Sequence, residues 1–239
     1  MKAVVGIQAR INSKRLPGKV LFKLGDKTII ERIYNTAAAV AETYVLTGSL
    51  GENHSLVEYC QEKKIPLFIG DDDNVLSRFS CLQKKTRAKI IVRLTGDNPL
   101  VQSSAIEGVI NSLMANRQMD YVSNCVFQDV PMGLNVEAMT SVALQKIQRN
   151  PDHNDCEHVT AKFKIRSTEY NVQHLHALAN QHWPSLRLTI DEEADFLFLT
   201  SLYEKIGEEM WNIPFLIDYL KGNQNYITNA LVRQKVLND

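Results

Sequence analysis

Val4-Val5-Gly6-Ile7-Gln8-Ala9-Arg10-Ile11-Asn12-Ser13-Lys14-Arg15-Leu16-Pro17-Gly18-Lys19 runs from an apolar segment straight into a cationic loop. Residues 4–9 read as a short buried strand. The loop that follows holds Arg10, Lys14, Arg15 and Lys19, and is broken by Pro17 and Gly18. Four cations so close in sequence repel one another unless an anion sits among them. After a buried strand in an α/β chain, phosphate is the anion that suits such a loop. A solvated basic loop is the plainer alternative. The glycine-rich phosphate-loop and dinucleotide-binding signatures are both absent.

Working outward, strand-like and helical runs alternate. Helices are predicted over 28–40, where Ile29, Ile30, Ile33 and the alanines at 37–39 fall at helical spacing, and over 55–63, 75–85 and 105–115. Strands are predicted over 44–47, 66–69 and 90–94. This rhythm predicts an α/β fold with a doubly wound, mostly parallel sheet, whose ligands sit beyond the carboxyl ends of the strands. After Asp120 the rhythm changes to strands at 121–124, 134–140, 170–177 and 186–190. These need not all be parallel and leave room for a small β-rich lid or dimerisation insert. A helix follows over 195–206, and the tail beyond Trp211 is partly helical, ending in Lys235-Val236-Leu237. No repeat, low-complexity tract or linker interrupts the chain, so one domain over 1–239 is expected.

The chain has 239 residues, enough for a sizeable core, and 44% of them are hydrophobic. Lys plus Arg number 27, as do Asp plus Glu, so the formal net charge is zero. That argues against a duplex nucleic-acid binder with a broad basic face, and leaves room for a local cationic pocket. No apolar run approaches a membrane span, and 4–9 is too short for a secretory core. Cys60, Cys81, Cys125 and Cys156 are scattered, which reads as reduced thiols. A cytoplasmic protein with no nucleic-acid or membrane partner is expected.

A second turn carries chemistry. The apolar strand at 90–94 ends in Thr95-Gly96-Asp97-Asn98-Pro99, which projects Asp97 at the sheet edge already occupied by the cationic loop. A carboxylate facing a phosphate loop makes sense with a divalent cation between them, since Mg²⁺ prefers one or two carboxylates plus phosphate oxygens. The alternative makes Asp97 a turn former.

The opening loop resembles the signature of the sugar-activating cytidylyltransferases, in particular the SpsF-like spore-coat-polysaccharide subgroup related to the CMP-sialic acid and CMP-Kdo synthetases. Ala9, Arg10, Ser13, Arg15, Leu16, Pro17, Gly18 and Lys19 match, while Asn12 stands where the pattern has glycine. Asn tolerates positive φ better than most residues, so the loop shape is expected to survive. Arg93, Gly96, Asp97, Pro99 and Leu100 resemble a further family segment. Leu188-Thr189-Ile190-Asp191 resembles the late segment that carries a second metal aspartate, with Asp195 one helical turn on and equally suited to starting the helix. Glu157-His158-Val159-Thr160 resembles a third segment, with Cys156 in place of arginine. Pro131-Met132-Gly133-Leu134-Asn135-Val136-Glu137 resembles a fourth, with Met132 and Asn135 in place of aspartates. Asn74-Val75-Leu76-Ser77-Arg78-Phe79 resembles a fifth.

The resemblance implies a fold of the nucleotide-diphospho-sugar transferase type, with a nucleotide-binding half over 1–120, an acceptor-binding half over 121–210 and an extension over 211–239. It implies transfer of CMP from CTP to a hydroxyl of a sugar or sugar acid, with pyrophosphate release, Mg²⁺ and room for a homodimer. Arg10, Arg15, Lys19 and Asp97 would be catalytic. Gln8, Ala9, Asn12, Ser13, Arg78, Thr95 and Gly96 would join those cations around the nucleotide. Asn124, Asn135, Glu137, Glu157 and His158 would face the acceptor, and Asp97 with Asp191 would hold the metal. Arg78 would contact nucleotide or pair with the acids at 71–73. Two other readings stay open: a glycosyltransferase using Asp71-Asp72-Asp73 as its metal motif, and a nucleotide-binding homologue with weakened catalysis. His174 and His176 share a strand face without an evident third ligand, so no zinc is assigned there.

Overall fold

The computed structural model describes residues 1–149, 151, 156–165 and 168–229. The first strand, β1 (Ala3–Gln8), has its four inner residues buried. A 3-10 turn (Lys19–Leu21) then leads into a short antiparallel hairpin of β2 (Lys23–Leu24) and β3 (Lys27–Thr28). The chain continues through α1 (Ile29–Ala38), β4 (Glu42–Thr47), α2 (Leu50–Glu62), β5 (Leu67–Ile69), α3 (Val75–Thr86), β6 (Ile90–Thr95) and α4 (Ser103–Ala115). It closes with β7 (Tyr121–Ser123), β8 (Glu137–Thr140), α5 (Ser141–Arg149), α6 (Ala161–Ile165), β9 (Val172–His174), α7 (Glu193–Ile206) and α8 (Ile213–Gly222).

Among the described residues, seven strands form one sheet in the order β5-β4-β1-β6-β8-β7-β9. β5, β4, β1 and β6 are mutually parallel, and β8 is antiparallel to both β6 and β7. Of the strands predicted after Asp120, which left room for a lid or insert, β7, β8 and β9 extend this same sheet. Burial on both faces explains the apolar runs of the central strands β1 and β6. Val5 and Ile7 belong to the layer of α1, α2, α4, α7 and α8, while Val4 belongs to the layer of α3, α5 and α6. Each of these fully buried side chains contributes roughly 1.5–3 kcal/mol relative to exposure. No helix among the described residues is long and apolar enough to cross a membrane.

The chain order reverses beside β1. It leaves β1 toward β4 and β5, then returns to β6 on the other flank. The loops after β1 and β6 therefore emerge side by side at a topological switch point. Gln8 pairs with Thr95 at the last register position, and the Gly96 amide donates to the Gln8 carbonyl at 2.8 Å. A Cβ at Gly96 would lie 2.9 Å from the Ala9 Cβ, so glycine is what lets the two loops touch.

Three predicted strands are shorter or different. Residues 186–190 form no ladder strand, only a bridge between Arg187 and Met132. Their alternation is real, with Leu186, Leu188 and Ile190 buried, but their partners are a loop and the Asp97 carbonyl, which accepts from the Ile190 amide at 2.8 Å. The 134–140 strand begins only at Glu137, because the Asn124 side chain binds the Leu134 carbonyl and Val136 amide that a ladder would otherwise use. The 170–177 strand ends at His174. Helix α5 was not predicted, and Lys235-Val236-Leu237 lies outside the described residues.

Gly133 has φ of 108°, and a Cβ there would lie 2.5 Å from the Leu188 carbonyl carbon and 2.6 Å from the Thr189 amide nitrogen. Neither backbone atom can step aside without moving the segment that leads to Asp191. Gly133→Ala is expected to cost roughly 2–5 kcal/mol, combining overpacking with left-handed backbone strain. Urea unfolding of the two proteins measures this, and a loss under about 0.5 kcal/mol, the range of ordinary surface substitutions, would refute it.

Candidate active site

Three oxygens from two distant turns converge on one ammonium. Lys19 Nζ donates to the Ile190 carbonyl at 2.6 Å and to Asp191 Oδ1 at 2.8 Å, and lies 3.4 Å from Asp97 Oδ2. Its side chain is only 8% exposed, and these oxygens replace the water that burial removes from the ammonium. Arg15 pairs with Asp191 Oδ2 at 3.0 Å and lies 3.8 Å from Glu192. Arg10 and Lys14 are exposed and form no salt bridge among the described residues. The cationic loop and both candidate metal aspartates therefore share one place.

Each member is positioned by its own turn. Thr95 Oγ1 donates to Asp97 Oδ1 at 2.6 Å, and Asn98 Nδ2 donates to Thr95 Oγ1 at 2.9 Å. The basic loop is anchored by Asn53, whose Oδ1 accepts from the Ile11 amide at 3.0 Å. Asn12 Nδ2 donates to Glu52 at 3.0 Å. Positive φ at a non-glycine residue occurs among the described residues only at Lys64 and Arg87, so Asn12 does not need the backbone freedom expected of it.

Arg187 supports Asp191 from behind. It lies 3.4 Å from Asp191 Oδ2 and grips Asp195 in a fork at 2.7 and 2.8 Å. Asp195 is fully buried, and its Oδ2 also accepts from the Asp191 and Glu192 amides at 3.0 Å each, within a capping box that starts α7. Its helix-starting role is the one realised. Burial works to raise the Asp191 pKa, but Lys19, Arg15 and Arg187 outweigh it and hold the carboxyl below its ordinary value. Burial likewise opposes ionisation of Asp195, and Arg187, Asn229 and the two amides overcome it.

The acceptor-side residues are placed differently from expectation. Glu137 is buried, with one oxygen on Arg93 and the other receiving Tyr121 at 2.6 Å, Thr160 at 2.9 Å and Lys164 at 3.0 Å. Burial resists its charge, yet Lys164 and Arg93 lead a set of partners that keeps it far below the usual carboxylate range. Glu137 thus holds cations in place and has no oxygen free for an acceptor. Arg93 in turn donates to Gln8 Oε1 at 3.0 Å, which links this cluster to the end of β1. Asn124 is committed to backbone. Asn135 keeps a buried Oδ1 without a hydrogen-bond partner among the described residues, Glu157 is exposed and His158 is half-buried.

Arg78 is buried and donates to the Asp71 and Asp72 carbonyls at 2.8 Å each, so it binds the backbone of the acidic loop and not its carboxylates. Asp71 Oδ1 accepts from the Asp73 and Asn74 amides, and Asp72 Oδ1 from the Ser49 amide. The acidic triplet is a loop brace, which removes the support for a glycosyltransferase metal motif. His174 and His176, read as lacking a third partner, both lie against Asp129. Sequence reasoning missed Arg187, Lys164 and Asn53. Arg187 alone left a signal, a cation in an alternating apolar run with acids four and eight residues on.

Comparison with known proteins shows the family and the fold. The family model described as cytidylyltransferase matches residues 4–221. The chain is 31% identical over 212 residues to the spore coat polysaccharide biosynthesis protein SpsF of Bacillus subtilis (strain 168), covering 84% of this chain and 86% of that one. A solved cytidylyltransferase from Leptospira borgpetersenii serovar Hardjo-bovis (strain JB197) superposes with a TM-score of 0.88 at 25% identity, over 99% of each chain. A CMP:2-keto-3-deoxy-manno-octonic acid synthetase solved with CTP shares the fold, with a TM-score of 0.68 at 18% identity, over 86% of this chain and 99% of that one.

Asp191, Asp195 and Glu137 are all more acidic than their ordinary values of 3.8, 3.8 and 4.5. A lowered native pKa contributes stability that is present above the ordinary value and lost as pH falls toward the native one. Unfolding free energy is therefore expected to fall once pH drops below about 5. Asp195→Asn, which strips Arg187 of its fork, should cost about 3–5 kcal/mol at neutral pH and flatten the acid slope. Urea melts across the acid range test both, and parallel pH profiles for the two proteins would contradict the assignment.

Proposed function

The chain belongs to the cytidylyltransferase family and is a nucleotidyltransferase, and on that premise we propose that it transfers CMP from CTP to a hydroxyl of a sugar or sugar acid, releasing pyrophosphate, for surface polysaccharide biosynthesis. The observation that carries this reading is the meeting of Arg15 and Lys19 with Asp97 and Asp191 at the ends of β1 and β6. The solved relative complexed with CTP lends the nucleotide, and SpsF lends the polysaccharide context.

The oxygen set fits Mg²⁺. Asp97, Asp191 and the Ile190 carbonyl already gather around a cation, the Lys19 ammonium, and hard oxygen donors are what this ion takes. Asp97 and Asp191 would hold it, and when bound it would polarise the α-phosphate and screen the triphosphate charge. The acceptor oxygen forms a bond to the α-phosphorus while the bond to the β-phosphate bridging oxygen breaks. The pair of electrons leaves with pyrophosphate, and the hydroxyl proton passes to water.

The chain's own groups position and neutralise, which is most of the catalysis such a step needs. Lys19 and Arg15 exchange carboxylate partners for β- and γ-phosphate oxygens, and Arg10, which forms no salt bridge among the described residues, meets the α-phosphate. Gln8, Ala9, Asn12, Ser13, Thr95 and Gly96 line the same strand ends. Asn135 and the half-buried His158 would face the acceptor.

Pyrophosphate release is expected with CTP, Mg²⁺ and a sugar acid, to fall to background with EDTA, and to be weak with ATP, GTP and UTP. Release from none of the four nucleotides across a panel of sugar acids would overturn the reading. Asp97→Asn should abolish turnover with the fold intact by circular dichroism. Lys19→Ala should weaken CTP binding by about 1.5–3 kcal/mol, the range for a lost hydrogen bond to a charged group, as read by calorimetry.

A further inference from the structure

Away from the carboxylate centre, the loop after β7 and the end of β9 bring together three groups with metal-binding chemistry. Asp129, His174 and His176 each place a ligand atom within 4.8 Å of the others. His174 Nε2 lies 3.0 Å and His176 Nδ1 3.4 Å from Asp129 Oδ2. Two ligands at zinc distances and a tetrahedral angle stand about 3.4 Å apart, so these spacings are already close to those of an occupied site.

The arrangement is built and not a surface coincidence. The His174 side chain is only 5% exposed, with Phe127 edge-on to its ring. The Ala177 amide donates to Asp129 Oδ2 at 3.0 Å, and the Asp129 carbonyl accepts from the Trp183 amide at 3.2 Å. Asp129 Oδ1 is buried with no hydrogen-bond partner among the described residues. A carboxylate with one buried oxygen orphaned and the other against two imidazoles is unfavourable as it stands, and a cation would offset its charge. His176 is 78% exposed, which leaves the ion a route in and a position open to water.

We propose that Asp129, His174 and His176 bind a divalent transition metal of the zinc class, at a site separate from Asp97 and Asp191. The donor set distinguishes the two places. Imidazole with one carboxylate suits zinc and its neighbours, whereas an all-oxygen set suits magnesium. Binding requires the His174 proton to move from Nε2 to Nδ1. The contacts given up are the Nε2 hydrogen bond to Asp129 Oδ2 at 3.0 Å, which the ion replaces, and the Phe127 amide to Nδ1 at 3.4 Å. The bound ion ties the 126–130 loop to the end of β9.

The test uses the full chain, stripped with chelator and dialysed against Zn²⁺ alone, without nucleotide or Mg²⁺. The wild type is expected to retain one zinc, to gain thermal stability from it, and to give visible absorption of tetrahedral type with Co²⁺. His176→Ala, an exposed substitution that leaves folding intact, should weaken zinc binding at least tenfold, on the order of what outer-shell losses alone cost. Asp129→Asn should do the same, and Asp97→Asn should leave it unchanged. No zinc on the wild type, or equal zinc on His176→Ala, would overturn the proposal.

Discussion

The ammonium of Lys19 between Asp97 and Asp191 is the contact on which the rest of the molecule's organisation depends. It joins three parts of the chain that lie 78 and 171 or more residues apart: the loop after β1, the turn after β6 and the segment before α7. Without a cation there, two carboxylates and a carbonyl would face one another across a partly buried gap. Like charges so placed repel strongly at reduced dielectric. The strand order makes the meeting unavoidable, because β1 and β6 are adjacent and point the same way.

Two buried ion clusters keep that meeting place rigid. Arg187 and Asp195 brace the Asp191 side, and Glu137 with Arg93 and Lys164 braces the β6 side. Neither cluster is simply a source of stability, since desolvating charges offsets much of their attraction. What they supply is position. Arg187 stands in a fork that allows one orientation, and Arg93 reaches Gln8 only because Glu137 holds its other end. Charge in this half of the protein is arranged by charge, and the apolar layers on either side of the sheet keep water from relaxing it.

Much of this was legible in the residues. The strands at β1 and β6 are apolar runs between turns, and the centre of a parallel sheet covered on both faces leaves them no other pattern. Arg15, Lys19, Asp97 and Asp191 could be named because each follows a strand or an apolar run and carries the charge that a polyphosphate with its metal asks for. Helix α5 escaped because it starts directly at the end of β8, capped by Thr140, with no glycine or proline to mark the change of period. Residues 186–190 alternate like a strand, but alternation reports which face is buried and says nothing about whether a neighbouring strand exists to pair with. Lys164, Asn53 and Asp129 act on partners far away in sequence, and no local pattern records such a contact.

The departures from the resembled pattern also take physical form. Met132 stands where an aspartate was expected, and its sulfur lies 3.4 Å from Arg187 Nη1. A thioether is a weak acceptor, so Arg187 is left to Asp195 and Asp191 for its charge. Asn135, the second such position, offers a neutral oxygen that nothing among the described residues satisfies. Two negative charges of the resembled pattern are therefore missing from the 131–137 segment while Arg187 remains. The surroundings of Arg187, which lies 3.4 Å from both Met132 and Asp191, are more positive than an aspartate at 132 would make them.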